Sequence, residues 1–170
     1  HCIAPDAVEA LLDRSLDTLG LETIDCYYVH NPETQRRVRP REAVYDQLEA
    51  TFERLERRVD AGDIGRYGVA TWRAFRVPPA DDAHLSLPEV VERARAAAEE
   101  AGRAETGFEA IQLPFNVRMA DAFTARVHEF DGERRSALSV AHELGLDVFA
   151  SAGLAGGDLV AGLPPAVDAE

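Results

Sequence analysis

The feature that most limits this chain's fold is a strict alternation of helical and extended apolar patterns. Val8, Leu11, Leu12, Leu16 and Leu19 recur at helical spacing and Gly20 stops the run; IDCYYVH (24–30) then reads as a strand. Val44, Leu48, Phe52, Leu55 and Val59 predict a second helix ended by Gly62, followed by a strand over 66–70. Ser86-x-x-Glu89, with Pro88 in the first turn, reads as a capping box opening an alanine-rich helix that ends at Gly102, and EAIQLPF (109–115) is a third strand. A fourth helix carries Leu138, Ala141 and Leu144 before Gly145, and DVFAS (147–151) is a fourth strand. Helix–strand units repeating about every forty residues imply parallel strands joined by helical crossovers. The near-continuous apolar character of the strands predicts cover on both faces.

Composition narrows the setting. The 170 residues are 46% hydrophobic, enough for a real core, and no apolar run approaches the roughly 18 residues of a membrane span. The N-terminal residues show no secretory pattern, and Cys2 and Cys26 are the two thiols, with Cys26 expected as a small buried side chain. A soluble, cytoplasmic protein is the expectation. Net charge is −13, and every basic residue is arginine; such a surface should repel nucleic acid and anionic membranes. Lysine-free acidity fits both a high-salt cytoplasm and a coding bias toward arginine. His84, His128 and His142 show no metal-ligand spacing, and no Walker loop or nucleophile elbow is present.

Four βα units could be a small open sheet or part of a closed barrel. A full (β/α)8 barrel takes roughly 250 residues, so this chain is too short to close one.

Four segments now bear on identity. SLDTLGLETIDCYYVHNP (15–32) resembles the aldo-keto reductase segment that runs from the third helix to the fourth strand. GDIGRYGVATW (62–72) resembles that family's fifth-strand segment, AIQLPFN (110–116) its sixth, and GLDVFASAGLAGG (145–157) its seventh strand and following loop. The resemblance implies a parallel (β/α)8 TIM-type barrel, of which residues 1–170 are a central fragment covering about strands 4–7, with 153–170 a loop or frayed tail. The initial residue, His1 rather than Met, agrees with that expectation.

By resemblance, His30 is the family's catalytic histidine, placed at the carboxyl end of its strand to hydrogen-bond a substrate carbonyl. Gln112 matches a glutamine that binds the nicotinamide carboxamide of NADP or NAD; its bland alternative is a buried amide satisfied by backbone. Ala70-Thr71 stands where the family commonly has Ser-Asn, so Thr71 still offers a hydroxyl. Ser151 stands where an aromatic usually stacks on the nicotinamide, and Trp72 could supply an apolar wall instead. Gly153, Gly156 and Gly157 follow the last strand, where the family wraps a loop over the pyrophosphate.

The family's catalytic Asp, Tyr and Lys lie on earlier strands. Tyr27 and Tyr28 are on the wrong strand to replace the proton donor, and the chain has no lysine. Arg36, Arg37, Arg39 and Arg41 either steer an anionic substrate or are an ordinary solvated loop. The expected activity is therefore that of part of an NAD(P)-dependent oxidoreductase acting on a small aldehyde, ketone or sugar carbonyl, and incomplete alone. The alternative is a non-catalytic, nucleotide-sensing subunit; an unrelated α/β domain with convergent motifs is a remote third.

Overall fold

The computed structural model describes residues 2–160 and Gly162. Helix α1 (Pro5–Leu19) starts with proline in its first turn, where no amide partner is lost, and stops at Gly20, whose φ of 64° is left-handed. Strand β1 (Ile24–His30) leads through a 3₁₀ turn (Pro32–Arg37) into α2 (Arg41–Asp60), and β2 (Ile64–Ala70) through a long loop into α3 (Leu87–Glu100). After β3 (Phe108–Pro114) come a single-turn helix α4 (Asp121–Thr124) and a hairpin of β4 (His128–Phe130) and β5 (Glu133–Arg135). Helix α5 (Ala137–Glu143), β6 (Asp147–Ser151) and a 3₁₀ segment (Ala155–Val160) complete the described chain.

The main sheet has the order β1-β2-β3-β6, all parallel, which is the sheet of a partial (β/α)8 barrel; β4 and β5 pair apart from it. Partnered residues in parallel strands point to the same side. One face therefore presents the row Val29, Val69, Ile111, Val148, the other the row His30, Ala70, Gln112, Phe149. Helices cover the first face: Leu12 of α1, Leu48, Phe52 and Leu55 of α2, and Val90 and Ala94 of α3 are fully buried there with Val69 and Ile111. Phe52, Tyr67 and Phe108 form its aromatic centre, with ring centroids 5.3–5.7 Å apart.

Beneath that centre sits Glu56, completely buried. It accepts hydrogen bonds from Tyr67 Oη (2.7 Å), Thr106 Oγ1 (2.6 Å) and Gly107 N (3.0 Å), and pairs with Arg103 Nε at 2.8 Å. Both its oxygens are satisfied and its charge is matched, as a buried carboxylate requires.

Three expectations are corrected. The strands are covered on one face: β6 is exposed over Asp147–Ala150, because no described element lies on the second face. Cys26 lies on that open side of the edge strand and is half-buried. The capping box does not close either. Ser86 makes no side-chain cap bond; its amide donates to Tyr45 Oη (2.8 Å), while Glu89 takes Arg93 Nε at 2.8 Å. Tertiary partners outbid the local pair. The expected tail at 153–170 is a 3₁₀ segment as far as Val160; its remainder, Gly162 apart, lies outside the described residues.

Candidate functional site

Carboxyl ends of parallel strands carry the sites of barrel folds. His30 is the last residue of β1, exposed, and paired in register with Ala70, which pairs with Gln112. All three lie on the face away from the helices, His30 and Gln112 two strands apart, or about 10 Å between backbones. The row below it holds Gly68 and Ala110 between Tyr28 and Asp147. A Cβ at Gly68 would sit 1.8 Å from Ala110 O, so only glycine permits that approach of β2 to β3. Across these small residues the rings of Tyr28 and Phe149 meet edge-on, centroids 6.2 Å apart, and Arg66 bonds Asp147 at 2.5 Å.

Gln112 is half-buried, its side chain without a hydrogen-bond partner among the described residues. The alternative in which backbone satisfies it is not what the structure has. Its carbonyl oxygen instead receives Thr71 N (2.9 Å), which fixes the exit of β2 against β3. Thr71 is buried. Its hydroxyl donates to Glu33 Oε1 (2.9 Å) and accepts Ala74 N (2.8 Å), which leaves one lone pair for a ligand. Ser151 ends β6, half-buried, its carbonyl holding Phe115 N at 3.1 Å. Gly153 is exposed in the following turn, and Gly156 and Gly157 adopt φ of 72° and 105°. Asn116 Nδ2 donates to Ala152 O (2.7 Å), tying the exits of β3 and β6 together.

Burial pushes the Tyr28 phenol far up, with Cys26 adding to it, and raises that of Tyr27 as well. Neither is a proton donor for chemistry near neutrality. In the arginine loop, Arg36 is held by Asp82 and the Arg39 carbonyl and Arg41 by the carbonyls of Pro79 and Asp81; Arg37 and Arg39 are exposed. With Glu33, Trp72 and Arg73, this loop borders a cleft of about 360 Å³ between the exits of β1 and β2. Among the described residues no cluster of His, Cys, Asp or Glu could hold a metal ion, and no helix is long and apolar enough to cross a membrane.

Sequence reasoning missed Glu33. It is 6% exposed and reaches from the 3₁₀ turn after β1 to the exit of β2, where Oε1 accepts from Thr71 Oγ1, Trp72 N (2.9 Å) and Arg73 N (3.0 Å). Its neighbour Asn31 was the available signal. At φ 48° it takes the left-handed conformation asparagine tolerates, and Pro32 then turns the chain back.

The architecture is thus that of a (β/α)8-type sheet with polar groups gathered at its carboxyl edge. The sequence pattern of the Aldo/keto reductase family matches residues 2–102, more than half of the chain, and the chain belongs to that family. Among solved structures it is similar to the glycerol dehydrogenase AKR11B4 from Gluconobacter oxydans, at 19% identity and a TM-score of 0.58, over 97% of this chain and 37% of that one. It is also similar to a putative 2,5-diketo-D-gluconic acid reductase B, at 17% identity and a TM-score of 0.56, over 94% of this chain and 41% of that one. The chain spans about two fifths of the length of these structures. No curated protein matches its sequence.

Proposed function

We propose that this chain supplies one wall of the active site of an NAD(P)-dependent oxidoreductase acting on a small aldehyde, ketone or sugar carbonyl. The observation that carries the reading is one cross-strand row, His30–Ala70–Gln112, at the carboxyl edge of a parallel sheet, with the Gln112 amide free of intramolecular partners. A free amide there can pair with the carboxamide of a nicotinamide, donor to acceptor in both directions. Thr71 adds its remaining lone pair from β2, while Ser151 and Gly153 border the site from β6. The nucleotide supplies the hydride. His30 donates a hydrogen bond to the substrate oxygen, orienting the carbonyl and stabilising negative charge as it develops.

Trp72, the chain's single tryptophan, is 51% exposed beside Thr71 and provides the test. Titration with NADPH and with NADH should change its emission saturably, and Gln112→Ala should weaken that response. An unchanged emission with both nucleotides, backed by no binding in calorimetry, refutes the reading. A second reading, a nucleotide-binding subunit without turnover, draws on the absence of lysine and on the raised phenols of Tyr27 and Tyr28. Nucleotide binding without carbonyl reduction in the full-length protein would favour it.

A further inference from the structure

Two glutamates are buried in this molecule, and they are built differently. Glu56 has donors on both oxygens and an arginine beside it. Glu33 concentrates three donors on Oε1, while Oε2 is buried without a partner, and among the described residues no cation lies within ion-pair distance of it. Such an arrangement is poor as a stabilising device, because an unmatched buried carboxylate costs desolvation that half its acceptor capacity does nothing to offset. What it delivers is geometry. Asn31 N donates to Ala70 O (2.6 Å) and Asn31 Oδ1 shares the Trp72 amide (2.9 Å), so the first residue after β1 and the first two after β2 are locked together. Glu33 completes the lock by fixing the Thr71 hydroxyl and the Trp72 and Arg73 amides at a set position relative to His30.

We infer that Glu33 is a positioning residue: it holds the exit of β2, Thr71 and Trp72, in fixed register with His30 so that the nicotinamide meets a preformed wall. The inference rests on the function proposed above. Preformed walls matter because displacements of about 1 Å in a site can cost on the order of a hundredfold in function. Glu33 acts through Thr71 and Trp72, and does not itself touch the nucleotide.

The test measures three properties of the full-length protein and of Glu33→Ala and Glu33→Gln: thermal unfolding, exchange of the Trp72 and Arg73 amides, and NADPH affinity from Trp72 emission. In Glu33→Ala both amides should exchange about tenfold faster, and NADPH should bind about tenfold more weakly. Glu33→Gln keeps an oxygen for the three donors and places its amide nitrogen where Oε2 now lies, so it should bind NADPH within about threefold of the unchanged protein. That rescue separates position from charge. Should Glu33→Ala not fold, Glu33→Asp, a methylene too short for the same reach, takes its place with the same expectations.

Unchanged affinity in the shortened variant overturns the inference, as does a folded Glu33→Gln that binds as weakly as Glu33→Ala. If the unchanged protein binds no nucleotide, the function proposed above fails and the role given to Glu33 fails with it. Binding by the unchanged protein and equally by the shortened variant removes only the role of Glu33.

Discussion

Acid should loosen this fold through His128 before it does so through any other imidazole. The ring is fully enclosed; its Nε2 lies 3.0 Å from Phe75 O and its Nδ1 accepts Leu87 N at 3.2 Å. Both contacts require the proton on Nε2 alone, since a second proton on Nδ1 would face the Leu87 N–H directly. Burial pushes its pKa from 6.5 down to about 4; the Phe75 carbonyl opposes that shift, and His84, with its ring centroid 5.6 Å away, adds to it. The unfolded chain therefore takes up a proton here below about pH 6.5, and the folded protein only near pH 4. The stability this neutral ring contributes is complete above 6.5 and lost as the pH falls toward 4, about 3 kcal/mol in all. For a chain of this size that is roughly 10 °C in melting temperature. Burial lowers His84 too, beside Arg41, Asp81 and Arg134, and its effect has the same sign. The assay is thermal unfolding by circular dichroism across that interval for the unchanged protein and His128→Gln, whose amide keeps a donor and an acceptor but does not titrate. Carboxylate effects are common to both and cancel in the difference. Parallel pH profiles for the two proteins would refute the assignment.

Glu56→Ala should cost about 3–5 kcal/mol in denaturant unfolding, because it strands Tyr67 Oη, Thr106 Oγ1, Gly107 N and Arg103 without their shared acceptor. Gly68→Ala should cost about 3 kcal/mol, since the new methyl collides with Ala110 O and the β2–β3 ladder must open to admit it. Gln112→Ala should leave the unfolding midpoint nearly unchanged, having no internal hydrogen bond to break, yet weaken nucleotide binding about tenfold, measured by titration. In the full-length protein, His30→Ala should lower turnover by at least about a hundredfold while nucleotide affinity stays within a few-fold; wild-type turnover would remove His30 from the chemistry.

The four strands and their helices were legible because each is written in a local period, and the matched family segments fixed which side chains stand at the strand ends. Features that depend on distant partners were not. Ser86-x-x-Glu89 has the spacing of a capping box, but Tyr45 and Arg93 claim its two ends. The β4–β5 hairpin turns at Asp131-Gly132, both at positive φ, a pair that favours such turns; its three-residue strands are too short to show a period. Glu33 carries no local signal of burial. In sequence it is one acid among many, in a polar loop, and its donors lie 38 to 40 positions further on.

Glu33 and Glu56 also show how the work is divided between the two ends of one sheet. Barrel folds place stability at the amino ends of their strands and function at the carboxyl ends. Glu56 grips Gly107, immediately before β3, with every acceptor used. Glu33 grips the residues immediately after β2 and leaves an oxygen unused. If burial of a carboxylate served the same end in both places, the two should respond alike to amide substitution. The geometry argues otherwise. Glu56→Gln replaces the oxygen paired with Arg103, or the one shared by Tyr67 and Thr106, with a nitrogen, so it should lower stability and leave the nucleotide affinity of the folded molecules alone. Glu33→Gln exchanges only an oxygen that bonds nothing, so it should spare both, and the cost should appear only when the side chain is shortened and the exit of β2 is released. Equal losses of stability in the two amide variants would mean that Glu33 is a second structural staple and that the wall beside His30 is set by something else.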